Sequence, residues 1–210
     1  MAVVAGDGEI GSVAPKRRLT IQIANEKRMI AATIELLRAH EVDNITSRMI
    51  ADASGTATNY ISRYFGGRDG LLAAVADELG LRISVLVRGG ESIMQFDQPG
   101  NQLNRITSNP EVALWFKVYR YLTGRNVPAS TMPSGKPPIV TAVEEAISLI
   151  FGLEGRYLPV CANLFLTYTM GNAAFGPFLG TTDDEAEETL RTMYEVVHLL
   201  MRRGDEFATG

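Results

Sequence analysis

The sequence predicts an all-α protein of about nine helices, with a small three-helix N-terminal domain followed by a larger helical bundle. Two observations predict the class. No segment sustains the period-two alternation of a half-buried strand, whereas apolar residues recur at i, i+3, i+4 and i+7 through most of the 210 residues. Glycine and proline clusters then cut this pattern into helix-length pieces, and a 46% hydrophobic content is ample for a full core. The expected boundaries are 1–22 for a flexible arm, 23–69 for the small domain and 70–210 for the bundle.

Residues 1–15 are small, glycine-rich and aperiodic, as in a mobile tail. Lys16, Arg17 and Arg18 follow as a basic triplet, which is either a solvated charge cluster or an arm that lies along phosphates or enters a minor groove. The first helix is expected from Ile23 to His40, with Met29, Ile30, Ala32, Thr33, Ile34, Leu36 and Leu37 as its apolar stripe. Glu41 to Asn44 makes a turn. Thr46 is suited to cap the next helix, Met49, Ile50 and Ala53 to form its buried face, and Gly55 to end it in a left-handed conformation. A second short helix follows, with Ile61 and Phe65 inward. Thr58, Asn59, Ser62 and Arg63 remain outside, a polar set suited to base edges and phosphates. Two short helices about a tight turn are the helix-turn-helix plan.

From Asp69 a longer helix runs through Leu71, Leu72, Val75, Leu79, Ile83 and Leu86 to Gly89-Gly90. Gly66 to Gly70 is not a phosphate-cradling loop, because it lacks the Lys-Ser/Thr such loops require. Pro110 opens a helix that is apolar nearly all round, 126–138 is a proline-rich loop, and an amphipathic helix follows from Ile139 to Phe151. No charge occurs between Arg156 and Asp183. Its asparagines, threonines, glycines and proline make this span too polar and broken for a membrane helix, and a helix buried on all sides accounts for it. The last helix has Thr182 as its cap, acids in its first turn and Arg202 and Arg203 in its last.

The stretch from Glu26 to Val75 resembles the DNA-binding domain of the TetR family of transcriptional repressors. The likeness rests on Thr46, Ile50-Ala51, Ala53, Gly55, Phe65 and Leu71-Leu72. Departures fall at Ser62, where the family usually has tyrosine, at Tyr64 in place of histidine, at Arg68 in place of lysine, and at Ala57 in place of a serine cap. The resemblance implies a homodimer that binds a palindromic double-stranded operator and is released by a small-molecule effector. On DNA, Asn59 is placed to pair with adenine and Arg63 with guanine or a phosphate. Thr56, Thr58, Tyr60 and Ser62 are placed for bases or backbone, and Thr46, Tyr64 and Arg68 for phosphates. The rings of Tyr60 and Tyr64 alternatively pack against the first helix.

For the effector, Trp115, Phe116, Tyr119, Phe151, Phe165, Tyr168, Met170 and Phe175 offer apolar surface, and Asn163, Thr167 and Asn172 offer polar groups to orient a ligand. The same residues also suit plain core. The charge-free wall favours a neutral, mostly hydrophobic molecule. Leu190, Met193, Tyr194, Val197 and Met201 on the last helix form either the dimer face or the end of the monomer core.

The net charge of −4 is unevenly spread: residues 16–88 carry 11 Lys/Arg against 8 Asp/Glu, residues 89–210 carry 9 against 14. The basic excess therefore sits in the domain expected to meet DNA. One cysteine, Cys161, and no secretory pattern point to a reducing cytoplasm. His40 and His198 lie far apart in sequence with no Cys or carboxylate cluster at ligand spacing, so no metal or other cofactor is expected. No nucleophile elbow, Cys/His pair or dinucleotide fingerprint occurs, so the chain is not expected to be an enzyme. The second reading is a constitutive DNA-binding regulator whose C-terminal half only dimerises.

Overall fold

Caps and helical spacing account for the elements found. The computed structural model describes residues 13–89, 109–155 and 157–202, and among them there are α-helices and short 3-10 turns but no strand. The helices are α1 (Val13–Ala39), α2 (Ser47–Ser54), α3 (Asn59–Phe65), α4 (Arg68–Gly89), α5 (Pro110–Gly124), α6 (Pro138–Phe151), α7 (Tyr157–Leu179) and α8 (Asp183–Arg202). The chain divides into two compact units, Met1–Val75 and Ala76–Gly210, and the division falls inside α4.

In the first unit, α1 begins at Val13, ten residues ahead of the expected Ile23, so the basic triplet belongs to a helix and not to an extended arm. Nothing between Val13 and Ile23 breaks a helix except Pro15, and proline is tolerated in a first turn, where its missing N–H has no intrahelical partner to lose. Met29, Ile34 and Leu37 are fully buried on one side of α1, each worth roughly 1.5–3 kcal/mol. Thr33 joins them because its hydroxyl donates to the Met29 carbonyl at 2.7 Å.

The cap of α2 is the expected one: the Thr46 hydroxyl accepts from the Met49 N–H at 3.2 Å, and Gly55 closes the helix at φ 62°. The buried face differs from the expected one. Ile50, Ala51 and Ser54 are inside, Met49 is half-buried and Ala53 is exposed. A serine takes the inward place because its hydroxyl donates to the Ile50 carbonyl at 2.7 Å, which removes the cost of burying it.

In the second unit, α4 is tied to its neighbours by three polar side chains. Asp77 accepts from the Ser134 hydroxyl, Arg82 reaches Glu78 at 2.9 Å and Glu111 at 3.1 Å, and Arg88 reaches Glu145 at 2.6 Å. The Glu78 hydrogen bond is the main cause that holds Arg82 above the ordinary arginine range, and the Arg88 hydrogen bond holds Glu145 below the ordinary glutamate range. Asn109 caps α5 by accepting from the Glu111 N–H at 2.8 Å, with Pro110 at its first turn. Val112, Leu114, Trp115, Val118 and Leu122 are buried, as are Ala142, Val143 and Ile147 of α6.

The charge-free helix α7 is not buried on all sides. Ala162 and Thr169 face inward, while Tyr157, Val160, Leu164, Phe178 and Leu179 are exposed. At 100° per residue these five fall within one arc, so the even hydrophobicity of the segment hides two faces, an inner one and an apolar outer one. Among the described residues no helix is long and apolar enough to cross a membrane. Helix α8 opens with a reciprocal capping box: the Glu185 N–H donates to the Thr182 hydroxyl at 3.2 Å, and the Thr182 N–H donates to the Glu185 carboxylate at 2.9 Å.

Two outcomes follow from these caps. Thr46→Ala is expected to lower unfolding stability by about 1 kcal/mol in a urea titration, with Thr46→Ser close to the parent. The backbone and hydroxyl of Thr182 both hold Glu185 below the ordinary glutamate range. Its contribution is therefore complete above the pKa of an unfolded-chain glutamate and is lost as pH falls through the depressed value. An NMR titration should find the Glu185 midpoint below that of free glutamate, and Thr182→Val should raise it.

Candidate nucleic-acid interface

The surface of interest is built on α3, which is held between two left-handed glycines, Gly55 ahead of it and Gly66 behind it at φ 72°. Ile61 is its one fully buried side chain and Phe65 is half-buried, so a single anchor seats the helix. Thr58, Asn59, Ser62 and Arg63 are all exposed, and they make the polar row that the sequence predicts. Thr58 occupies the N-cap position without a side-chain cap, and Thr56 does not supply one, because its hydroxyl is paired with that of Ser54 at 2.7 Å.

Tyr60 and Tyr64 are both half-buried and stack on each other, with centroids 5.1 Å apart and planes at 28°. The Arg63 guanidinium lies 5.9 Å from the centre of the Tyr64 ring. Such contacts add roughly 0.5–1.5 kcal/mol beyond burial and give both rings and the arginine a preferred orientation.

Arg68, expected at a phosphate, is engaged elsewhere. Its Nε donates to the Ile45 carbonyl at 3.0 Å and its Nη2 donates to the Val42 carbonyl, so the first residue of α4 grips the turn between α1 and α2. Sequence reasoning placed it on DNA from its family position. No sequence signal marks the other role, because its partners are the backbone carbonyls of Val42, in the 3-10 turn, and of Ile45. Thr46 is exposed but spends its oxygen on capping α2. The side chains of Lys16, Arg17 and Arg18 lie outside the described residues.

In the second unit, Trp115 is 4% exposed, stacked on Tyr119 at 4.9 Å and edge-on to Phe116 at 5.4 Å. Its Nε1 is buried with no hydrogen-bond partner among the described residues, at a cost of about 1–3 kcal/mol. Phe165, Met170 and Asn172 are half-buried, and the half-buried Tyr168 donates its hydroxyl to the Ala186 carbonyl at 3.2 Å. Asn163 and Thr167 stand on the exposed side of α7, away from Ala162 and Thr169. Phe151, Phe175, Leu190, Tyr194, Val197 and Met201 lie outside the residues whose side chains are described, and Met193 is half-buried. The exposed apolar residues on the last two helices include Val160, Leu164 and Phe178 with Val196 and Leu199, which the sequence reading did not single out.

Residues 29–75 match the family model for bacterial regulatory proteins of the tetR family. Residues 29–75 thus carry a domain of the tetR-family type, and it spans α2 and α3. Solved structures of similar fold include a TetR transcriptional regulator from Rhodococcus sp. RHA1, at 19% identity over 86% of this chain and 98% of that one, with a TM-score of 0.50. They also include the TetR family repressor AlkX from Dietzia sp. strain DQ12-45-1b, implicated in biodegradation of n-alkanes. It is 17% identical over 85% of this chain and 96% of that one, with a TM-score of 0.50. No curated protein matches this chain in sequence.

The different surroundings of the two arginines separate their roles. Arg63→Ala is expected to lower the salt dependence of DNA binding by about one unit of slope if its contact is to a phosphate. Arg68→Met should leave that slope unchanged and lower the urea midpoint of the free protein. A reduced slope for Arg68→Met would instead put its guanidinium on DNA.

Proposed function

We propose that the regulator is a cytoplasmic, non-enzymatic repressor that binds a palindromic operator as a homodimer and leaves it when a small, neutral, mostly hydrophobic effector occupies the second unit. The observation that carries the reading is the exposed polar row on α3, Thr58, Asn59, Ser62 and Arg63, backed by buried Ile61 and stopped at both ends by glycine. That row lies outside the core of the first unit and carries donors and acceptors of the kind that distinguish base pairs in a major groove.

One such helix reads only a few base pairs, so selectivity calls for two, related by molecular symmetry. The exposed apolar stripe of α7 and the exposed Val196 and Leu199 of α8 support a second copy of the chain as the partner, because a stripe of this kind is disfavoured in water and self-complementary about a two-fold axis. The unsatisfied Trp115 N–H supports a receptor over a bundle that only dimerises. To release DNA, the effector must bind the non-DNA-binding arrangement more tightly than the DNA-binding one, with a coupling on the order of 1–3 kcal/mol. Helix α4, unbroken from Arg68 to Gly89, is the element assigned to carry it.

Selection of DNA from a random pool should recover an inverted repeat, and fluorescence anisotropy should then show Asn59→Ala weakening it by roughly 1–3 kcal/mol with relaxed preference at one base pair of each half-site. Uniform weakening on all sequences would make Asn59 a backbone contact. Light scattering should give twice the chain mass for the parent, and Leu164→Glu should move it toward monomer. Binding as a monomer to a single half-site would refute the symmetric reading.

A further inference from the structure

We propose that the buried indole N–H of Trp115 is the polar anchor of the effector site, donating to a neutral acceptor oxygen, a ketone or hydroxyl, on a molecule that is otherwise apolar. The inference rests on the receptor reading above and gives it a chemical class. An indole nitrogen is a donor only, and nearly every buried donor in a folded protein has an acceptor. The Trp115 Nε1 has none among the described residues.

The surroundings of the nitrogen account for this. A Cβ at Gly80 of α4 would stand 3.5 Å from Nε1 and 3.3 Å from Cδ of Pro138. Glycine is disfavoured inside a helix relative to alanine, and here it keeps a side chain away from the nitrogen. Around the indole, Tyr119 lies parallel at 17° and Phe116 edge-on at 70°, which supplies aromatic surface for an apolar body. The charge of the acceptor is constrained too. Asp77, one turn before Gly80 on the same helix, is 7% exposed and accepts from Ser134, so an anionic ligand at this place would meet a buried acid. A neutral oxygen avoids that repulsion.

Trp115 is the single tryptophan of the chain, so indole-labelled full-length protein gives one indole N–H resonance that reports on this atom alone. The probes are 2-dodecanone, 1-dodecanol, n-dodecane and dodecanoate, which share a chain length and differ in the acceptor. The ketone and the alcohol are expected to move the resonance downfield, and to bind about tenfold more tightly than the alkane, the ratio for one hydrogen bond of ordinary strength. Dodecanoate should bind more weakly than either. Trp115→Phe should bring ketone affinity down to that of dodecane, and Gly80→Ala, which sets a methyl beside Nε1, should weaken the ketone in a variant shown to be folded by its thermal melt. If Trp115→Phe does not fold, Gly80→Ala and the resonance decide. Ketone binding or operator release with an unmoved resonance, or alkane binding as tight as ketone binding, overturns the anchor and leaves the receptor reading standing. If no probe binds and none releases operator DNA, both fall.

Discussion

The guanidinium of Arg68 holds the arrangement on which the reading surface depends. The Val42 carbonyl accepts the Ile45 N–H within its 3-10 turn, and Arg68 adds a second donor to it while also satisfying the Ile45 carbonyl. Two bonds from one rigid planar group fix a direction as well as a distance, which a lysine cannot do. Since Ile45 leads into the Thr46 cap of α2, and α2 leads through Gly55 into α3, the position of Asn59 and Arg63 is referred back to the first residue of α4. A substitution here therefore disturbs the seating of α2 and α3 as well as the side chain itself.

Much of this was legible in the residues. Thr46, Gly55, Pro110 and Thr182 are signals whose physics is local: a hydroxyl within reach of a free N–H, a ring with no N–H to lose, or a residue without a Cβ. The structure places each where spacing predicts it. Burial was less legible, because it depends on what lies opposite. Ala53 reads as apolar but is exposed, and Ser54 reads as polar but is buried once it back-bonds to Ile50. In α7 every face is apolar enough to be inside, so composition alone could not say that Val160 and Leu164 are outside. The role of Arg68 was not legible either, since its partners are carbonyls, which every residue has.

The polar atoms of the second unit divide by whether they are satisfied. Thr169 donates to the Phe165 carbonyl, Ser84 to the Leu81 carbonyl and Asp77 accepts from Ser134, each a buried or partly buried group with its partner. Against that background the Trp115 nitrogen is the exception among the described residues. Its phenyl-like surface is well packed while its one polar atom is not, a combination that packing alone would not favour.

Gly55 and Gly66 also bear on how such a protein changes over time. The residues between them include one fully buried anchor, Ile61, and a set of exposed side chains outside the core. Thr58, Asn59, Ser62 and Arg63 can be exchanged without disturbing the core, while the stops at either end keep any replacement in the same orientation. On the proposed function, mutation could thus alter which sequence is read while folding stays under separate selection, through a few surface changes within ten residues of chain, 56–65.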